Sequence, residues 1–190
     1  MKMLPGMTVI NTCDYNQTKA ATISISNHNG PVYLRFGRPK VPNFTDPNQD
    51  FKIGRGVKLV DGDDVTIVAT GHLVWEAIEA CKLLKKEGVY AELINIHTVK
   101  PLDEEIILRS IVKTKCIVSA EEHNIIGGLG ESISSTLVRN NLVPMEFVGV
   151  EDSFGESGTP TQLMNKYGLS SEKIMEKISK NNEEENIPHM

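Results

Sequence analysis

The sequence predicts an α/β fold, a sheet with helices packed on its faces, and three observations predict it. Strand-like and helix-like segments alternate along most of the 190 residues, the order expected when helices cover the faces of a sheet. Val65-Thr66-Ile67-Val68-Ala69 is a continuous apolar, β-branched run, as in a strand buried on both sides. Hydrophobic residues make up 39% of the chain, enough for a packed core.

The first element is the short β-prone stretch Met7–Ile10. Asp14 starts a helix, with Gln17 three residues on as in a capping box; it runs to about Ser26 and is broken by Asn29-Gly30-Pro31. Pro31–Phe36 alternates as a strand with Val32, Leu34 and Phe36 on one face. From Pro39 to Gln49 the chain is rich in Pro, Asn and Asp and reads as a linker. The boundary falls near residue 50, giving one unit over 1–50 and a second over 51–190.

In the second unit Val57–Val60 is a short strand, ended by the turn Asp61-Gly62-Asp63-Asp64, and Val65–Ala69 follows. A helix over Leu73–Lys86 carries the apolar stripe Leu73, Val74, Ala77, Ile78, Cys81 and Leu84 and stops at Gly88. Ala91–Ile96 is a strand. Asp103 caps a helix with Glu104 and Glu105 in its first turn, where the dipole favours anions, and Ile106, Ile107 and Ile111 on its buried face. Cys116–Ala120 is a strand, Glu121–Gly128 a loop, and Leu129–Val138 a helix burying Leu129, Ile133 and Leu137. Met145–Val150 is the last strand. Thr159-Pro160-Thr161-Gln162 opens a short helix with a capping box and proline at the first helical position. Ser170 caps a final helix carrying Ile174 and Ile178, and Lys180–Glu185 forms a polar, frayed tail.

Composition excludes several functions. A net charge of −5 argues against nonspecific nucleic-acid binding, which needs a basic face to displace counterions. No apolar run is long enough for a membrane helix, and the N-terminus has no signal-peptide stretch. Cys13, Cys81 and Cys116 are far apart and form no C-x-x-C pair, so neither a zinc knuckle nor a disulfide framework is indicated. Cys81 and Cys116 read as small buried hydrophobes, and a reducing cytoplasm fits.

Gly127-Gly128-Leu129-Gly130 lies between a strand and a helix, where dinucleotide folds bind pyrophosphate. The third glycine of that motif would fall at Ile133, and Glu121, Glu122 and Glu131 would repel a phosphate. These glycines therefore read as a tight turn with close packing. Glu121-Glu122-His123 reads as structural, its carboxylates serving loop N–H groups or a partner surface. His28, His72 and His97 are scattered singles, His72 being placed to help cap a helix. No G-x-S-x-G elbow or Cys–His pattern occurs. Asp61, Asp63 and Asp64 lack calcium-loop spacing, so no catalytic or metal-binding residue is assigned. Arg35 and Arg38, at a strand's end around Gly37 and before Pro39, are different. Guanidinium forks suit an anion such as a sugar phosphate; surface or interface salt bridges are the other reading.

Several segments, in order, resemble one family. They are Pro5-Gly6-Met7-Thr8-Val9 with Asp14; Gly30-Pro31-Val32-Tyr33-Leu34-Arg35-Phe36-Gly37-Arg38; Asp64–Gly71; Pro101-Leu102-Asp103; Glu121-Glu122-His123 with Gly127-Gly128-Leu129-Gly130; and Asp152-Ser153-Phe154-Gly155-Glu156-Ser157-Gly158, followed by Tyr167-Gly168-Leu169. Each is weak alone, but the ordered set resembles the thiamine-diphosphate transketolase superfamily. That group includes deoxyxylulose-phosphate synthases and the beta subunits of 2-oxo-acid dehydrogenases. Leu34–Pro39 is most similar to the short, often split transketolases; synthases tend to carry Pro in place of Gly37 and Gly in place of Pro39.

The resemblance implies that residues 1–50 are the end of a pyrimidine-binding domain. Residues 51–190 would be a transketolase C-terminal domain, a three-layer α/β/α unit with a mixed, mostly parallel five-stranded sheet whose first strand, Val57–Val60, runs antiparallel. The implied reaction is transfer of a two-carbon ketol unit between sugar phosphates, as in the pentose phosphate pathway. It would use thiamine diphosphate and a divalent metal, magnesium or calcium, in the full assembly. The family's diphosphate motif has no counterpart here, and its activating glutamate falls upstream of Met1 in family order. The chain alone is therefore expected to bind no coenzyme and to be inactive. Its expected partner is an N-terminal transketolase section, in a homodimer or heterotetramer. Arg38 aligns with a family arginine that holds the substrate phosphate, with Arg35 second. Glu121, His123, Gly127, Gly128 and Gly130 are assigned packing or subunit contacts. The rival readings are a non-catalytic dimerisation or ligand-binding module, or a fragment of a synthase or dehydrogenase.

Overall fold

Two sheets share the chain. A computed structural model describes residues 1–184. The strands are β1 Thr8–Asn11, β2 Val32–Arg35, β3 Val57–Val60, β4 Val65–Thr70, β5 Ala91–Asn95, β6 Thr98–Lys100, β7 Ile117–Asn124 and β8 Met145–Val150. The helices are α1 Tyr15–Ile25, α2 Leu73–Lys86, α3 Glu104–Thr114, α4 Leu129–Asn140, α5 Pro160–Lys166 and α6 Ser171–Glu184.

The larger sheet has the order β3-β5-β4-β7-β8. β4 pairs in parallel with both β5 and β7, and β7 with β8, whereas β3 runs antiparallel to β5. β4 is buried at all six positions, and its alternation divides two cores. Val65, Ile67 and Ala69 pack with α2 and α6 residues such as Leu73, Ala77, Ile174 and Ile178. Val68 packs on the opposite face with Ile107 and Ile111 of α3 and Leu129, Ile133 and Leu137 of α4. Period-2 strand chemistry thus meets period-3.6 helix stripes on both sides, and the unit is a three-layer α/β/α sandwich. Thr66, facing α3, is satisfied by the Ser110 and Thr114 hydroxyls, each at 2.6 Å.

The smaller sheet, β2-β1-β6, has a core of Ile10, Ala21 and Phe51 with Val32 and Leu34 against it. β1 pairs in parallel with β2 and antiparallel with β6. The linker is pinned on both sides. The Asp14 carboxylate caps α1 through the Gln17 N–H and also accepts from the Phe44 N–H, the Thr45 N–H and the Thr45 hydroxyl. The Phe44 ring lies 5.7 Å from Trp75 of α2.

Some expectations change. Phe36 does not extend the buried face of β2; the strand ends at Arg35 and Phe36 is 62% exposed. The Gln17 side chain accepts from Cys13 N–H, one residue before Asp14. The stretch Glu121–Asn124, expected in a loop, continues β7, because Asn124 pairs with Val150 of β8. His72 stands at the N-cap of α2 with no side-chain cap hydrogen bond. The polar tail is helical through Glu184, with Glu185 outside the described residues.

Candidate functional site

In parallel sheets, ligands gather at the carboxyl ends of the strands, where loops diverge and the starts of the following helices present free N–H groups. Here the carboxyl ends of β1, β2, β4 and β7 converge. Thr12 N–H donates to Arg35 O at 3.1 Å, and the Thr70 hydroxyl reaches Asn11 O at 3.4 Å. Gly71, at φ +60, turns the chain out of β4 so closely that a β-carbon would lie 2.5 Å from Asn11 Nδ2. A depression of about 250 Å³ opens at this junction; Asn11, Tyr33, Arg35, Thr70, Glu121 and His123 help line it.

Arg35 is half-buried, and its Nη2 donates to Glu122 O at 2.8 Å. Arg38 is exposed and makes no hydrogen bond or ion pair with any described residue. Between them, Gly37 lies against His72. A β-carbon at Gly37 would fall 1.8 Å from His72 Cε1 and 2.0 Å from Nε2. The His72 Nδ1 stands 3.4 Å from Glu122 Oε2.

The glycine loop has a different character. Glu121, 2% exposed, accepts from Leu129 N–H at 2.7 Å and Gly130 N–H at 2.9 Å, placing a carboxylate where α4 exposes its first amides. Burial pushes its pKa up, and those two hydrogen bonds and the charges of His123 and Lys2 partly oppose this. A β-carbon on Gly128 would come 2.3 Å from Glu121 Oε2, and one on Gly130 would meet the Phe147 ring and Ser119. Gly127, at φ +75, makes the turn, and its N–H donates to Glu131. Lys2 Nζ donates to Gly128 O and the Ser132 hydroxyl. His123 is exposed and donates from Nδ1 to Asn124 O at 2.7 Å. Among the described residues no group of His, Cys, Asp and Glu could hold a metal ion, and no helix is long and apolar enough to cross a membrane.

Glu121, His123 and Arg35 thus share one depression, while Arg38 projects outside it. Sequence reasoning missed the contacts of His72 and Lys2. No local pattern marks either, since both act on residues far away in the chain. The three aspartates near residue 62 are structural. Asp61 pairs with Lys58, Asp63 with Lys113, and Asp64 accepts from Tyr90 N–H.

The family description "Transketolase, C-terminal domain" matches residues 54–174. The chain belongs to the transketolase family. A 6-deoxy-6-sulfo-D-fructose transketolase subunit of Clostridium sp. is 44% identical over 175 residues, covering 92% of this chain and 54% of that protein. A subunit of the apulose-4-phosphate transketolase of Phocaeicola vulgatus is 33% identical over 92% of this chain and 56% of its own length. The inactive beta4 tetramer of a split-gene transketolase superposes with a TM-score of 0.93 at 41% identity, over 95% of this chain and 59% of that one. This transketolase section spans about half the length of those curated relatives.

Proposed function

We propose that this chain is the C-terminal section of a thiamine-diphosphate-dependent transketolase, and that Arg38 and Arg35 grip the phosphate of its sugar substrate. The carrying observation is Arg38, exposed and unpaired among the described residues just past the carboxyl end of β2, three residues after Arg35, whose guanidinium is held by a hydrogen bond to Glu122 O. Five donors per guanidinium leave ample capacity for a tetrahedral anion. Residues 1–50 supply the last part of a pyrimidine-binding domain, whose strands β1 and β2 share a sheet with β6 of the following unit.

Neither the coenzyme's diphosphate nor its metal is assigned to this chain; among the described residues no group of His, Cys, Asp and Glu could hold a metal ion. The start of α4, behind the glycine loop, already holds the Glu121 carboxylate, a charge that would repel a diphosphate there. On this reading coenzyme and metal sit on the partner section, an N-terminal transketolase chain. This chain orients the substrate's charged end and contributes subunit contacts through the Glu121–Gly130 region. The beta4 assembly of the split-gene relative supports a multi-chain enzyme.

A specific observation favours a second anion. One relative is named for a sulfonated sugar and another for a phosphorylated one, and a sulfonate also offers three oxygens to paired arginines. The test is an assay of this chain combined with its N-terminal section, using phosphorylated, sulfonated and unmodified acceptors. Arg38→Ala removes a charge-assisted contact of about 1.5–3 kcal/mol. It should cost roughly tenfold or more in kcat/KM for the anionic acceptors and little for the unmodified one. Equal losses on all three would refute the assignment.

A further inference from the structure

We infer that His72, held by Glu122, is a positioning residue that fixes the turn between Arg35 and Arg38; this rests on the phosphate reading above. Gly37 has no left-handed φ, so backbone conformation does not demand glycine there. What demands it is the His72 ring, which fills the space any β-carbon would need, with three ring atoms within 2.6 Å of that position. His72 is 9% exposed, and its side chain does not cap α2. The ring is a wall behind the turn that carries both arginines.

Glu122 ties the two parts together. Its carboxylate faces His72 Nδ1 at 3.4 Å, and its carbonyl accepts from Arg35 Nη2 at 2.8 Å. One residue at the end of β7 therefore sets both the wall and the first guanidinium. Past Gly37, His72 also lines a hollow together with Pro39, Lys40 and Val41, so the chain before Arg38 abuts the imidazole and the chain after it borders a hollow that the same imidazole lines. A guanidinium displaced by about an ångström loses much of its value in binding, so this wall governs recognition of the charged end of the substrate without touching it.

The experiment uses this chain assembled with its N-terminal section and an acceptor offered with and without its phosphate. His72→Ala should raise KM for the phosphorylated acceptor about tenfold, with KM for the unphosphorylated one moving less than twofold. Gly37→Ala should produce a similar loss. The double variant Gly37→Ala/His72→Ala should be no worse than His72→Ala alone, because the methyl then occupies the vacated space. Glu122→Ala should reproduce part of the loss, and Glu122→Gln, which can still hydrogen-bond His72, should restore most of the discrimination. Equal losses on both acceptors, or additive losses in the double variant, would overturn the inference; if His72→Ala does not fold, Glu122→Ala gives the same readout. Loss of discrimination with Arg38→Ala but not with His72→Ala or Glu122→Ala sinks this inference alone. No loss with Arg38→Ala sinks the phosphate reading and takes this inference with it.

Discussion

Lowering the pH from 7 to 4 charges an imidazole that the fold keeps neutral. His97 is 2% exposed, its ring centroid lies 4.0 Å from that of Phe51, and its Nδ1 is 2.9 Å from the Thr98 hydroxyl. Burial lowers its pKa to about 4 from 6.5, and the opposing pull of Asp103 is the smaller effect. A folded pKa below the unfolded one means that the unfolded chain takes up the proton first. The contribution of His97 is therefore fully present well above pH 6.5, is lost progressively as the pH falls from 6.5 to 4, and levels off below 4. At 1.36 kcal/mol per pH unit, the loss is roughly 3 kcal/mol across that window. Urea unfolding at several pH values, on the wild type and on His97→Phe, isolates it. The variant keeps the stack on Phe51 and cannot titrate. Glu76 and Glu121, whose pKa values burial raises, change in the opposite sense, but they are common to both proteins and cancel in the difference. The wild type should lose about 3 kcal/mol relative to the variant by pH 4. Parallel stability curves would refute the account of a buried neutral His97.

Other outcomes follow from single contacts. Glu121→Ala strands the Leu129 and Gly130 N–H groups and should cost about 2–4 kcal/mol in thermal or urea unfolding. Gly128→Ala forces a methyl onto the Glu121 carboxylate and should cost about 1–3 kcal/mol, most of it absent in a Glu121→Ala background. Asp14→Ala removes the α1 cap and leaves the Phe44 N–H, the Thr45 N–H and the Thr45 hydroxyl without their acceptor. It should cost about 2 kcal/mol and open residues 39–50 to limited proteolysis; unchanged cleavage would contradict the pinned linker. Lys115 ends α3 at φ +62, so Lys115→Gly should stabilise by about 0.5–1 kcal/mol, read as a raised Tm.

Local chemistry made much of this legible in the sequence. The β-branched run of β4, the stripe of α2 and the Thr159–Gln162 box carry their own periodicity or capping pattern, and the structure has each of them. β6 was not legible. Thr98-Val99-Lys100 is strand only because Val9 and Ile10, some ninety residues away, pair with it. The extension of β7 through Asn124 likewise depends on its partner β8. At the site, Arg35 and Arg38 stood out because charge at a strand end is locally visible. The contact of His72 with Gly37 was invisible, since it joins two turns brought together only by folding. The capture of α4 amides by Glu121 was half legible. The carboxylate's place before the glycines was plain, but its burial and aim needed the return path of the chain.

The division of labour between two sections is tested most directly by calorimetric titration of thiamine diphosphate with magnesium into this chain alone, and into its mixture with the N-terminal section. The mixture should take up coenzyme and transfer ketol units, and the single chain should do neither. Tight uptake of the coenzyme by the single chain would contradict the account.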